Sequence, residues 1–151
     1  MNMKWKALLN EGKVVEHRTT ARELHDLRSV VERNLTDARS SEISTDTRFA
    51  LAYEASLLLS KMAIACSGYR IKGEGAHHTT FLALPFACGS EVSKSSQYFN
   101  MCRKKRNKLA YDKAGIVTET EASELYSRAI QFREFIEAWI KTNHPEFTDE
   151  D

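Results

Sequence analysis

The sequence contains few of the residues that interrupt helices. Only two prolines, Pro85 and Pro145, and six glycines occur among 151 residues. Proline breaks helices and glycine favours turns, so the long stretches between them are free to remain helical. Apolar residues recur through these stretches at the spacing of one helix face. The sequence therefore predicts an all-α protein.

Cysteine is also scarce. Cys66, Cys88 and Cys102 form an odd set without a Cys-x-x-Cys pair, which predicts three buried or neutral thiols in a reducing compartment. His77 and His78 precede Cys88 at a spacing that fits no common zinc site. No metal and no other cofactor is predicted.

The chain lacks a consecutive run of the ~18 apolar residues needed to cross a membrane. Residues 1–15 contain no apolar segment typical of a signal peptide, so a cytoplasmic protein without membrane contact is predicted. The net charge is only +1, which argues against a chain that coats nucleic acid along its whole surface. Any nucleic-acid contact has to come from a local patch.

The apolar pattern predicts an antiparallel up-and-down bundle with four long helices' worth of core and one or two short helices. The predicted long helices cover residues 20–39, 46–67, 91–111 and a final segment that ends near 142. The second is apolar on most sides and is predicted to lie at the centre. A short helix is predicted for residues 81–88, opened by Thr79 or Thr80.

The chain is long enough for one domain with its own core. Residues 1–17 are assigned to a short N-terminal helical segment, 18–142 to the helical domain, and 143–151 to an acidic flexible tail. Thr20 and Glu23 have the spacing of a capping box. Either Thr118 or Thr120 suits the N-cap of the last helix, and this choice stays open.

The most unusual stretch is Cys-Arg-Lys-Lys-Arg-Asn-Lys-Leu-Ala-Tyr-Asp, residues 102–112. Helical geometry places Arg106 between Phe99 and Cys102 on the apolar side of its helix. A buried unpaired cation costs several kcal/mol, so this position predicts a cleft or an interface. The lysines of the stretch are predicted to project outward, where basic residues offset the helix dipole by about 0.3–1 kcal/mol each. They are Lys104, Lys105 and Lys108.

The segment Arg106-Asn107-Lys108-Leu109-Ala110-Tyr111-Asp112, followed by a glycine turn and a final amphipathic helix, resembles the HEPN superfamily. The earlier helix with Ala52-Tyr53-Glu54-Ala55, the histidine-bearing loop and the short helix match the family's order over roughly residues 20–140. The usual motif has a histidine a few residues after the arginine, and here Tyr111 stands there. A branch of HEPN-like proteins is similar to this chain in that respect.

The resemblance implies a helical bundle that pairs as a homodimer, with two motifs facing each other. It implies a metal-independent endoribonuclease of a toxin or defence system, in some cases neutralised by a nucleotidyltransferase antitoxin. Modification of Tyr111 by such an antitoxin is a further expectation. Other family members are inactive and bind RNA, nucleotide or a partner protein, and this alternative remains open beside a scaffold without a ligand.

RNA cleavage by the 2′-hydroxyl needs a base, a cation for the phosphorane charge and an acid for the 5′ oxygen. Arg106 suits the cation role because its guanidinium is always charged and can bind phosphate through two donors. Asn107 is predicted to position the phosphate. Tyr111 is a poor base, with an ordinary pKa near ~10, but it can donate a proton or stack on a base.

Accessory residues complete the predicted site. Arg103, Lys104, Lys105 and Lys108 are predicted to bind the RNA backbone, or else to form a solvated helix end that meets an acidic partner. His77, His78 and Asp112 are possible accessory residues, although the two histidines also fit an exposed pair that opens a helix. A helix-turn-helix DNA reader is disfavoured because no compact pair of short helices is present.

Overall fold

A computed structural model describes residues 3–111 and 115–149, and the side chains at 110 and 111 lie outside that description. Its helices are α1 (Met3–Asn10), α2 (Ala21–Ala38), α3 (Thr45–Cys66), α4 (Ala76–Cys88), α5 (Ser93–Tyr111) and α6 (Glu119–Asn143). Two short strands, β1 (Val14–Glu16) and β2 (Tyr69–Ile71), and 3-10 turns at Ser90–Val92 and Pro145–Phe147 complete it. The predicted all-α helical bundle is confirmed.

Helix α3 is the centre of the bundle, as its apolar pattern predicts. It packs against α2, α4, α5 and α6, and alanine, leucine and serine side chains are buried around most of its circumference. Small alanines allow neighbouring helices to come close. Among the described residues, α3 is the one helix long and apolar enough to cross a membrane by length and composition, and 78% of its apolar window is buried inside the protein.

Side-chain caps fix the starts of α2 and α6. Thr118 forms a complete capping box: its Oγ1 accepts from the Glu121 N–H at 3.0 Å, and the Glu121 carboxylate accepts from the Thr118 N–H at 2.9 Å. This settles the N-cap of the last helix at Thr118. At α2, Thr20 Oγ1 accepts from the Glu23 N–H at 3.1 Å. The Glu23 carboxylate, however, accepts from the Thr19 hydroxyl at 2.6 Å and lies 2.8 Å from Nε2 of His17. Its hydrogen-bond partners among the described residues are therefore these two side chains and not the backbone N–H of Thr20.

The two-stranded antiparallel sheet was not predicted. Val14 pairs with Ile71, and Glu16 with Tyr69. The sheet attaches α1 to the bundle, because Trp5 of α1 stacks on Tyr69 with ring centroids 4.2 Å apart. The N-terminal segment thus packs on α3 and α4 in a small second core, which consists of Trp5, Leu8, Val14, Ile64 and Ala83.

Helix α4 begins earlier than predicted. It opens at Ala76, directly after Gly75, rather than at Thr79 or Thr80. Gly75 has a φ of +69°, in the left-handed region that glycine adopts without strain, and it separates the preceding turn from the helix. His77 and His78 therefore lie in the first turn of a helix and not in a loop.

The three cysteine thiols are free and buried, as predicted. Burial raises the pKa of Cys66 and of Cys88 to about 12 and that of Cys102 to about 11. All three thiols are therefore neutral near pH 7.

Candidate functional site

The candidate site is built around a contact between α3 and α4. The Tyr53 hydroxyl lies 3.2 Å from Nδ1 of His77, within hydrogen-bond distance. Tyr53 is fully buried in the central helix, and His77 is half-buried. The early start of α4 makes this contact possible, because it places the His77 ring in a helical turn that packs on α3.

The surroundings of His77 favour its neutral form. Burial lowers its pKa below 6.5, and the positive charge of Lys61 lowers it further. Glu54 opposes this effect, while Arg106 and Arg103 of α5 add to it. An imidazole in this position is uncharged near pH 7 and is able to accept a proton.

Tyr53 keeps its own proton. Burial raises the pKa of Tyr53 well above 10, and the nearby charges of Arg103 and Arg106 only partly offset that rise. A buried tyrosine hydroxyl needs a hydrogen-bond partner, and within the described residues that partner is Nδ1 of His77. Donation from Tyr53 to Nδ1 puts the imidazole proton on Nε2. When Nδ1–H donates to the tyrosine oxygen instead, Nε2 is free to act as a base.

Two arginines of α5 complete the cluster. Arg106 is half-buried and has no hydrogen-bond or ion-pair partner in the described part of the chain. Arg103 is also half-buried, and its Nε donates to Asn100 Oδ1 at 2.8 Å. The positive charges of both guanidinium groups lower the pKa of Tyr53 and that of His77. A guanidinium without a carboxylate partner is suited to a phosphate, which it can bind through two parallel donors.

The lysines of the basic stretch do not form one continuous surface. Lys104 and Lys108 are exposed, as expected. Lys105 does not project freely outward: its Nζ lies 2.9 Å from Glu121 Oε2, and its side chain is only 32% exposed. This ion pair joins α5 to the start of α6, so the Lys105 charge is largely neutralised.

The remaining predicted residues do not join the cluster through a described contact. Asn107 is half-buried, and its side chain makes no hydrogen bond within the described residues. His78 is exposed and lines a separate shallow cavity between α4 and α5. The side chain of Tyr111 and the whole of Asp112 lie outside the described residues.

Sequence reasoning missed three members of the environment of His77: Tyr53, Glu54 and Lys61. Tyr53 and Glu54 were noted only as part of the family's helix order. A usable signal was present, because these polar residues interrupt the otherwise apolar sequence of α3. A polar group in a central helix needs a hydrogen-bond or ion-pair partner, so these residues indicate a contact with another element.

A larger cavity lies elsewhere, between α2 and α6, with a volume of about 980 Å³. Its two arginines are already paired, Arg28 with Glu137 at 2.7 Å and Arg133 with Glu32 at 2.9 Å, although Glu134, Lys141 and Asp149 also line it. Internal pairing leaves less charge for a ligand. The smaller cluster around His77 is therefore the stronger candidate for chemistry.

Within the described residues, no group of three His, Cys, Asp or Glu side chains is arranged to hold a metal ion. The cluster offers instead a neutral imidazole, a tyrosine that holds it and two guanidinium groups. Comparisons of the chain with protein families, with curated proteins and with solved structures found no match.

Proposed function

We propose that this protein is a metal-independent endoribonuclease of HEPN type that cleaves RNA by attack of a 2′-hydroxyl. The main observation in favour is the position of His77, a neutral imidazole within hydrogen-bond distance of Tyr53 and subject to the positive charges of Arg103 and Arg106. The resemblance of the Arg106–Asp112 segment to the HEPN motif is a second argument for this function, taken from the sequence. His77 supplies the imidazole that the motif lacks at Tyr111.

Each group has a distinct task in the proposed reaction. In the tautomer whose Nδ1–H donates to the Tyr53 oxygen, Nε2 of His77 is unprotonated and accepts the proton of the 2′-hydroxyl, while the bond to Tyr53 orients the ring. The 2′ oxygen forms a bond to phosphorus, and the bond from phosphorus to the 5′ oxygen breaks. Arg106, with Arg103 beside it, stabilises the charge on the phosphorane oxygens. We assign proton donation to the 5′ oxygen to Tyr111. The products are a 2′,3′-cyclic phosphate and a 5′-hydroxyl end.

The proposal includes the setting that the HEPN resemblance implies. The protein acts in the cytoplasm as a homodimer, as a toxin or defence component, and a nucleotidyltransferase-type antitoxin is its proposed partner. The exposed Lys104 and Lys108 contact the RNA backbone, so RNA binding weakens as salt rises.

The test is an RNA-cleavage assay in EDTA that compares the wild type with Arg106→Ala and Lys104→Ala. Both variants lose one cation from α5, but of these two residues only Arg106 contributes to the lowered pKa of His77. We expect Arg106→Ala to lose at least a hundredfold in cleavage rate, as for other groups that stabilise transition-state charge (roughly 10²–10³). Lys104→Ala should mainly weaken RNA binding. Equal losses in the two variants would refute the assigned role of Arg106.

A second candidate function is an inactive HEPN-like module that binds RNA, nucleotide or a partner protein. It is favoured by Tyr111 at the position of the motif histidine. Binding of RNA by the folded wild type without any cleavage, lost in Arg106→Ala, would establish this alternative.

A further inference from the structure

A shallow cavity of about 220 Å³ lies between α4 and α5, next to the candidate site. One wall comes from α4, with the apolar Phe81, Leu82 and Pro85 together with His78. The other wall is polar and comes from α5, with Ser96, Gln97 and Asn100. An apolar wall opposite hydrogen-bonding groups suits a flat, polar-edged ring such as a nucleobase.

The orientation of Asn100 is fixed by chemistry. Arg103 Nε donates to its side-chain oxygen at 2.8 Å, and a guanidinium has donors only, so the atom that faces Arg103 must be the amide oxygen. The amide nitrogen remains without a partner among the described residues. Asn100 therefore presents the N–H donors of its amide to the cavity, because its amide oxygen already accepts from Arg103.

Ser96 supplies a second unused group. It is 6% exposed, and its hydroxyl has no hydrogen-bond partner in the described part of the protein. An unpaired buried hydroxyl is destabilising, and such groups in native proteins call for an explanation. A ligand in the cavity would provide one, because a rotation about χ1 is enough to change the direction of a serine hydroxyl.

We infer that this cavity binds a carbonyl-bearing nucleobase of the RNA substrate, adjacent to the phosphate held by Arg103 and Arg106. The amide nitrogen of Asn100 donates to the base carbonyl, the Ser96 hydroxyl bonds to the same edge, and the base lies against Leu82 and Pro85. Uracil, cytosine and guanine have a carbonyl oxygen, whereas adenine has none and is disfavoured. The inference rests on the proposed RNA cleavage for the position of the phosphate.

The first experiment measures the ratio of cleavage rates for oligonucleotides that carry uracil or adenine at the position next to the cut. One hydrogen bond to the base corresponds to a preference of about fivefold for uracil. Asn100→Asp retains the oxygen that Arg103 needs but replaces the donating amide with a second acceptor. We expect this variant to lose the preference for uracil or to reverse it towards adenine, whose amino group donates.

Ser96→Ala is a second test variant, chosen because the substitution should not disturb folding. It removes an unpaired hydroxyl, so its thermal stability should be unchanged or higher, while the uracil preference falls by about twofold to fivefold. A uracil-to-adenine ratio near one in the wild type would overturn the inference, and so would an unchanged ratio in Asn100→Asp. Either result leaves cleavage itself intact, so the proposed function would survive.

If the wild type cleaves no RNA, the proposed function fails and the cavity is tested by binding alone. UMP and AMP are titrated into the ¹⁵N-labelled protein, and the amide signals of Ser96 and Asn100 are followed by NMR. Saturable shifts with UMP at concentrations where AMP gives none would support the base site. Equal responses to the two nucleotides, or no response to either, would overturn it.

Discussion

The Tyr53 hydroxyl lies 3.2 Å from Nδ1 of His77, and this contact joins the central helix of the bundle to the first turn of α4. The tyrosine is fully buried and holds its proton, while the imidazole is only half-buried. The buried partner can therefore fix the ring, and the outer edge of the ring remains available to a substrate. We regard Tyr53 as a positioning residue that acts through His77.

Replacement of Tyr53 by phenylalanine tests this role. The ring still fills the core, but the hydroxyl is lost, so the free energy of unfolding should fall by only about 1 kcal/mol. The cleavage rate should fall by roughly fivefold to tenfold, because His77 loses its orienting bond. The ¹⁵N shifts of His77 report its tautomer and should change. Tyr69→Phe, which alters a tyrosine outside the cluster, is the control, and a similar change at His77 in that variant would contradict the assignment.

The lowered pKa of His77 makes stability depend on pH. Burial is the main cause, and Lys61 contributes next. Because the folded pKa lies below the unfolded value of about 6.5, the unfolded chain binds more protons between the two values. The contribution of neutral His77 to the free energy of unfolding is therefore fully present above about pH 6.5, and it is lost as the pH falls through the folded pKa.

Denaturant unfolding at pH 7 and pH 5 measures this effect. We expect His77→Gln to lose less stability than the wild type over this interval, because glutamine does not titrate. His78→Gln is the matched control, since His78 is exposed in the same helical turn. The pKa values of Glu23, Glu119 and Glu121 are lowered from 4.5, so these carboxylates titrate below the interval from pH 7 to pH 5. Equal pH dependence in the wild type and His77→Gln would contradict the burial of a neutral imidazole.

Two ion pairs on α2 and α6 should differ in their contributions to stability. The Arg28 side chain is 13% exposed, binds both carboxylate oxygens of Glu137 at 2.7 and 2.9 Å, and also donates to the Phe147 carbonyl at 2.7 Å. Arg28→Ala should lower the free energy of unfolding by about 2 kcal/mol, since it strands a partly buried carboxylate.

Arg133 is the control for this prediction. It pairs with Glu32 through a side chain that is 33% exposed, and Glu32 itself is 71% exposed. Arg133→Ala should therefore cost only about 0.5 kcal/mol, as for other surface pairs. Chemical denaturation of the two variants checks the difference, and equal losses would show that the network around Arg28 contributes no more than an exposed pair.

The start of α6 gives a further test. Thr118→Ala removes the side chain that caps the Glu121 N–H, and the expected cost is about 1 kcal/mol. Thr120→Ala lies two residues away in the same helix, is exposed, and should stay within about 0.5 kcal/mol of the wild type. Thermal unfolding distinguishes the two. If Thr120→Ala lost more stability than Thr118→Ala, the assignment of the N-cap to Thr118 would be wrong.

The sequence was informative where a local pattern decides the structure. The long apolar run of α3 predicted a central helix, and the glycine and threonine signals placed most helix ends within a few residues. The inward position expected for Arg106 agrees with its half-buried side chain. Each of these features depends on periodicity or capping within one helix, which neighbouring residues alone determine.

Features that depend on distant residues were not predictable in the same way. The β1–β2 pair joins residues 14–16 to 69–71, and three-residue strands give too short an alternation to detect. The Tyr53–His77 contact depends on how α4 packs on α3. The sequence of α5 does not distinguish Lys105 from the exposed Lys104 and Lys108, because its partner Glu121 lies on α6. Tertiary packing selected the partner in each case.

The most direct test of the central claim is the rate of RNA cleavage in EDTA by the wild type, His77→Gln and His25→Gln, each shown to be folded. Loss of a positioned acid or base typically costs about 10²–10⁴ in rate. We predict cleavage by the wild type to a 2′,3′-cyclic phosphate, a loss of at least a hundredfold in His77→Gln, and a near-wild-type rate in His25→Gln, which alters an exposed histidine of α2. Undiminished cleavage by His77→Gln, or the absence of cleavage by the folded wild type, would contradict the account.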